Sequence, residues 1–283
     1  MTRAGPAPFE VEWLGGRAEH YFRKVRPGAD DLPWGTLPVG DYPPSLVEAA
    51  RTTWTELAVN EYRAIVRFSD VMRAMALAKV PLDLLGMTGD FLADECVHVE
   101  LASRMAMELG GGAPVAVDMD TFVPPIDGAT PAFERASQIV LEVGISEAFA
   151  GGTGLGHRNA ASHALPRAIF DRILADESRH RRFAPIYFEW AAERFDDGER
   201  ARLAAVATRM LGALSTYWKV TPAPVVDGKT RNGWALDELH AVGWLEAEKL
   251  VVLAREVVRR DILEPLDAIG IVVPAEERER LLA

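Results

Sequence analysis

Two pentapeptides, Asp94-Glu95-Cys96-Val97-His98 and Asp176-Glu177-Ser178-Arg179-His180, repeat one arrangement of ligand-type side chains. In each, a carboxylate and an imidazole stand three residues apart, which makes them neighbours on one face of a helix. Two such helices facing one another would offer two carboxylates and two imidazoles to one site. Carboxylates are hard ligands and imidazole accepts most first-row metals, so this set suits iron or manganese better than structural zinc. A single Glu-x-x-His arises often by chance in Glu-rich helices. A pair, each led by Asp, is a stronger signal.

The elements that must carry these residues read as helices. Residues 1–44 are interrupted by Pro6, Pro8, Pro27, Pro33, Pro38, Pro43 and Pro44 and by several glycines, and predict an extended arm laid over a bundle. Trp13, Tyr21, Phe22 and Trp34 are its candidate anchors. A helix is predicted from Ser45, with Glu48 completing a capping box, to about Lys79. Trp54, Leu57, Glu61, Ile65, Phe68, Met72 and Met75 recur along it at three- and four-residue steps. A second helix runs from Pro81 or Leu82 to the Gly110-Gly111-Gly112 stop. A third begins near Pro131 and ends at Gly151-Gly152 or bends past them. A fourth spans about 165–194, a fifth 199–219 and a sixth 234–260. Only residues 223–226 and 271–273 could be extended. The chain is therefore expected to be all-α: an arm (1–44), a four-helix bundle (45–195) and further helices (196–283) that complete the same domain.

A bundle that holds two metal ions through paired Glu-x-x-His motifs needs one more Glu from each of the other two helices. Glu56 and Glu61 are candidates on the first. Glu61 lies about 28 Å of helix before the turn and Glu95 about 21 Å after it, whereas Glu56 is mismatched by about 15 Å. Glu61 is chosen. Glu142 and Glu147 compete on the third helix. Glu142 shares a face with Gln138 and Arg135, while Glu147 stands among Gly144, Ala148 and Gly151, which leave room around a carboxylate. Glu147 is preferred, with Glu142 left open.

The pattern of Glu61 with Glu95-x-x-His98 and Glu147 with Glu177-x-x-His180 resembles the ferritin-like diiron carboxylate superfamily over residues 45–195. Its members include ribonucleotide reductase small subunits, bacterial multicomponent monooxygenases, acyl-carrier-protein desaturases, rubrerythrins and arylamine N-oxygenases. The resemblance implies that Glu61, Glu95, His98, Glu147, Glu177 and His180 bind two iron ions, with manganese as the alternative. It also implies that Asp176 holds the imidazole of His98 and Asp94 that of His180, since a ligating histidine is oriented through its other nitrogen. Departures narrow the subgroup. Ala102 stands where the reductase subunits carry a radical tyrosine, and Gly151 where the monooxygenases carry a hydroxyl. That glycine would also open a space for substrate.

Composition sets further bounds. With 283 residues, 49% hydrophobic and 26% charged, the chain can bury a sizeable core. A net charge of -11 argues against nucleic-acid binding, which needs a basic face. Cys96 is the single cysteine, which excludes a four-cysteine iron centre. It is expected to pack beside the site. No run reaches 18 apolar residues and no signal peptide is evident, so a cytoplasmic protein without a membrane span is expected. Glu100, the Asp237-x-x-His240 pair, His157 and His163 are read as solvated, capping or loop groups rather than ligands. Trp218, Trp234 and Trp244 are read as core and cover.

The expected activity is that of a diiron oxygenase or oxidase. It would use O2 and an external electron donor to hydroxylate, N-oxygenate or desaturate a small organic substrate. A homodimer is compatible with the sequence. A ferroxidase or storage protein, a manganese catalase-like enzyme and a metal-free scaffold are its competitors. The arm and the additional helices favour a covered substrate pocket.

Overall fold

Proline and glycine govern the arm but leave room for one helix in it. The computed structural model describes residues 6–122, 129–219 and 224–283. Strand β1 (Ala7–Pro8) is followed by helix α1 (Gly16–Val25), so the arm is not extended throughout. Helix α1 is bracketed by Gly15 and Gly16 and by Gly28, all at positive φ, where a side chain would be strained. None of its residues is buried. Phe22 packs partly buried against the bundle core, and arginine contacts to α3 add to its attachment.

Four long helices follow: α2 (Pro44–Leu77), α3 (Leu82–Glu108), α4 (Ala132–Ala160) and α5 (Ala164–Ala191). Helix α2 opens on Pro44, whose missing N–H is no loss in a first turn. The expected Ser45–Glu48 capping box does not form; Ser45 Oγ instead accepts a hydrogen bond from Trp234 Nε1 at 3.0 Å. Helix α4 runs through Gly151 and Gly152 for another two turns. His163 caps α5, its Nδ1 accepting from the Leu165 N–H at 3.1 Å.

Tight turns make α2–α3 and α4–α5 antiparallel hairpins. Asp94 lies against His180 and Asp176 against His98, so α3 and α5 are also antiparallel. Helix α4 must then run parallel to α3, and the connection between them has to travel the length of the bundle, about 40 Å for a helix of this size. That single long crossover is a ferritin-like arrangement. It carries strand β2 (Ala116–Val117), which pairs antiparallel with β1. It also packs Val117 and Phe122 on Val59 and Tyr62 of α2.

The C-terminal part contains α6 (Asp197–Leu214), α7 (Leu236–Ala241), α8 (Ala247–Val257), a π-helical turn (Val258–Leu263), α9 (Glu264–Ala268) and α10 (Ala275–Leu282). The single helix expected over 234–260 is broken at Gly243, which has φ +96°. Any Cβ there would stand 2.8 Å from Pro166 Cβ and 3.1 Å from Trp54. Ile271 and Val273 enter the core without forming a strand, Val226 makes an isolated bridge with Lys229, and Ala223 lies outside the described residues. Among the described residues no helix is long and apolar enough to cross a membrane.

The apolar core is divided along the bundle. One part gathers Trp54, Ala58, Leu101, Met105, Leu165 and Phe170. The other gathers Phe68, Met75, Phe91, Val140, Phe183 and Tyr187, and receives α6 and α8–α10, while Leu239 of α7 joins the first part. Glu61, Glu95 and Glu177 fall between them in the sequence of α2, α3 and α5, and Glu147 of α4 meets them at that level.

Candidate metal centre

At that middle level each long helix contributes one carboxylate, and α3 and α5 each add an imidazole. Glu95 and His98 are fully buried, His180 is 1% exposed, and Glu147 and Glu177 are buried. The Glu61 side chain retains 14% exposure. Two groups of candidate ligand atoms form, each lying within 4.8 Å of one another: Glu61, Glu95, His98 and Glu177, and Glu95, Glu147, Glu177 and His180. Glu95 and Glu177 belong to both.

Both imidazoles turn Nδ1 inward. His98 Nδ1 is 3.5 Å from Glu95, 3.6 Å from Glu177 and 3.8 Å from Glu61. His180 Nδ1 is 3.1 Å from Glu95, 3.5 Å from Glu147 and 3.6 Å from Glu177. The outward nitrogens cross between the motifs. His98 Nε2 approaches Asp176 Oδ2 at 3.4 Å, and His180 Nε2 approaches Asp94 Oδ2 at 3.3 Å. Phe68 and Phe91 lie against the His180 ring, with centroids 5.4 and 4.3 Å away, and give that side a dry wall.

Whether metal ions fit can be judged from the buried polar atoms. Both oxygens of Glu95, Oε2 of Glu177 and the inward Nδ1 of both histidines are buried without a hydrogen-bond partner. Leaving a buried polar group unpaired costs about 1–3 kcal/mol, so five at one place call for a common partner. Four carboxylates facing two imidazole nitrogens are the donor set for two hard cations.

Charge is strained in the same sense. Burial, together with neighbouring carboxylates, raises the Glu61 carboxyl to about 7 and that of Glu177 to about 8. Burial raises Glu147 too. Burial would also lift Glu95, but His98 and His180 override it and hold that carboxyl down to about 2. For both imidazoles burial opposes the charged form; the carboxylates around them prevail and raise the pKa well above the usual value. The metal-free cluster thus retains protons that a divalent ion would displace.

The other acids considered lie elsewhere. Glu142 pairs with Arg67 across α2 and α4. Glu56 lines a surface groove of about 420 Å³ between α2 and the crossover. Glu100 accepts from Arg23 of the arm at 2.6 Å. Cys96 is half-buried and belongs to neither ligand group; burial raises its thiol. His157 is not a loop residue: it sits in α4 against Phe170 and Trp244, accepts from the Leu245 N–H at 3.1 Å, and burial lowers its pKa to about 4. His240 pairs with Glu246 at 3.0 Å.

The glycines of α4 do not leave a substrate gap. A Cβ on Gly151 would come within 2.4 Å of Arg181 Cδ, one on Gly152 within 2.5 Å of Val257, and one on Gly156 within 2.2 Å of Leu253. Their bareness lets α5 and α8 approach, so the space read from the sequence is already filled.

Three arginines escaped the sequence reading. Arg179 Nη2 donates to Asp94 at 2.9 Å and to Asp176 at 3.0 Å, tying together the two carboxylates that face the outward histidine nitrogens. Arg172 reaches Asp176 at 3.3 Å, and Arg26 of the arm reaches Asp94 at 2.8 Å. Arg179 was visible inside the second motif, where the first has Val97. Arg26 carried no sequence signal, because its partner is 68 residues away.

No family model matches the chain, and no curated protein matches it. A solved structure described as protein 19 with aldehyde deformylating oxidase activity, from Synechococcus, has the same fold. It superposes with a TM-score of 0.52 at 18% identity, over 84% of this chain and 96% of that one. The fold is thus ferritin-like and all-α, as expected from the sequence, and it carries a buried carboxylate and histidine cluster at its centre.

Proposed function

We propose that the chain is a diiron oxidoreductase that uses O2 to hydroxylate, N-oxygenate or desaturate a small organic molecule. The observation that carries this reading is the pair of overlapping ligand groups, in which Glu95 and Glu177 are common to both. Glu61, Glu95, His98 and Glu177 would hold one iron; Glu95, Glu147, Glu177 and His180 the other. When bound and reduced, the two ions would supply two electrons to O2, and an external donor would restore them.

The protein's own groups do the remaining work. Asp94 and Asp176 hold the outward nitrogens of His180 and His98, so that Nδ1 of each faces the site. Phe68 and Phe91 exclude water from the His180 side. Glu61, on α2, is the most exposed of the six at 14% of its side chain, and an organic molecule would approach on its side. The fold shared with a protein described by an oxidase activity favours the oxidase class over iron storage.

Anaerobic reconstitution with ferrous iron tests the reading directly. Close to two irons per chain are expected, followed by O2 consumption that depends on prior reduction. One zinc per chain as isolated, or no transition metal after reconstitution, would remove the proposal. Iron oxidation and mineralisation in large excess would reassign the protein to storage.

A further inference from the structure

The two motifs are near-repeats in space as well as in sequence, and the places where the repeat fails are informative. Around Asp176 the charge is supplied locally. Arg172, one turn earlier on the same helix, reaches it at 3.3 Å, and Arg179 at 3.0 Å. The equivalent position one turn before Asp94 is Asp90, a carboxylate where an arginine would be needed. Asp94 is nonetheless flanked by two guanidiniums. Arg179 provides one at 2.9 Å, and the other comes from outside the bundle: Arg26 Nε lies 2.8 Å from Asp94 Oδ1.

Arg26 is held for that contact. Its backbone N–H donates to the Phe22 carbonyl at 2.8 Å, closing the end of α1. Its Nη2 pairs with the Asp90 carboxylate and donates to the Asp90 carbonyl at 2.9 Å. Although α1 buries none of its residues, the Arg26 side chain is only 12% exposed. Asp90 therefore both lacks the local charge and recruits the distant one, and its second oxygen accepts from Arg179 at 2.8 Å.

We infer that Arg26 is a positioning residue of the metal centre: the arm supplies in trans to the helix the guanidinium that fixes Asp94, and through Asp94 the imidazole of His180. The inference rests on the metal reading given above. Docking of the arm and occupation of the His180 half of the site are then linked, each favouring the other. Arg23, on the same helix, anchors to Glu100 and has no contact with either histidine-holding Asp. It separates attachment of the arm from the action of the guanidinium.

Cobalt(II) titration of the metal-free full-length protein, followed by d–d absorption, provides the test. Wild type should take two equivalents. Arg26→Ala should weaken one of them about tenfold or more, in line with the effect of losing a group that orients a metal-binding imidazole, and leave the other near wild type. Arg26→Lys should restore part of the loss, and added ethylguanidinium should restore part of it in Arg26→Ala. Arg23→Ala should leave both affinities unchanged. Identical titrations for wild type and Arg26→Ala would overturn the inference while leaving the metal reading intact. Equal weakening of both sites by Arg26→Ala and Arg23→Ala would also overturn it, because the arm would then act as a strap alone. Failure of wild type to bind cobalt would remove the metal reading, and this inference with it.

Discussion

Glu147 and Glu142 are five residues apart on one helix, yet their surroundings assign them different work. Glu147 lies 3.5 Å from His180 Nδ1 within the buried cluster, whereas Glu142 reaches across to Arg67 near the surface. Glu147→Gln should therefore reduce bound iron from two to about one per chain, as read by metal analysis after reconstitution. Glu142→Gln should leave metal content unchanged and lower stability by no more than about 1 kcal/mol, the range of a partly exposed ion pair. Metal loss from the second variant instead would move the helix α4 ligand back by more than one turn. This choice was half legible in sequence: small neighbours marked Glu147 as having room. What fills that room was not legible, because Arg181 and Val257 arrive from other helices.

At the scale of elements, close approach along α4 has a measurable consequence. A Cβ on Gly144 would lie 2.3 Å from Ala184 Cβ of α5, a distance that no adjustment of a methyl group can relieve. Gly144→Ala should destabilise the protein by about 1–3 kcal/mol through overpacking, and Ala184→Gly in the same chain should recover most of it in denaturant unfolding. The long helices themselves were readable, since their apolar residues recur over seven or more turns. Two shorter features were not. Helix α1 carries an apolar stripe of Ala18, Tyr21, Phe22 and Val25, but it is only 10 residues long and set among prolines and glycines; at Gly243 the backbone turns to φ +96° where Pro166 and Trp54 leave no room for a side chain. Periodicity reports what a segment does on its own; these features depend on neighbours far away in sequence.

For the molecule as a whole, His157 is a lever on acid stability that is separate from the metal centre. Burial lowers its pKa from 6.5 to about 4, so the fold favours the neutral ring. A depressed folded-state value means this contribution is complete above the unfolded pKa of 6.5 and is lost as pH falls through the window towards 4. Wild type should accordingly lose more of its melting temperature between pH 7.5 and pH 5 than His157→Gln does. Equal losses in the two proteins would show that the ring protonates without opposing the fold.

The order in which the chain is made gives the α4 glycines a different meaning. Every side chain of the central cluster has been synthesised once residue 180 is in place. The bare face of α4, however, waits for Leu253 and Val257 to cover it. Those residues follow 73 and 77 positions after His180, roughly 4–15 s of synthesis at ordinary rates. A nascent chain thus holds its complete carboxylate and histidine cluster on a bundle that still lacks one wall. The growing chain must avoid capturing the wrong ion, or a neighbouring chain's helix, before its own last helices close the groove.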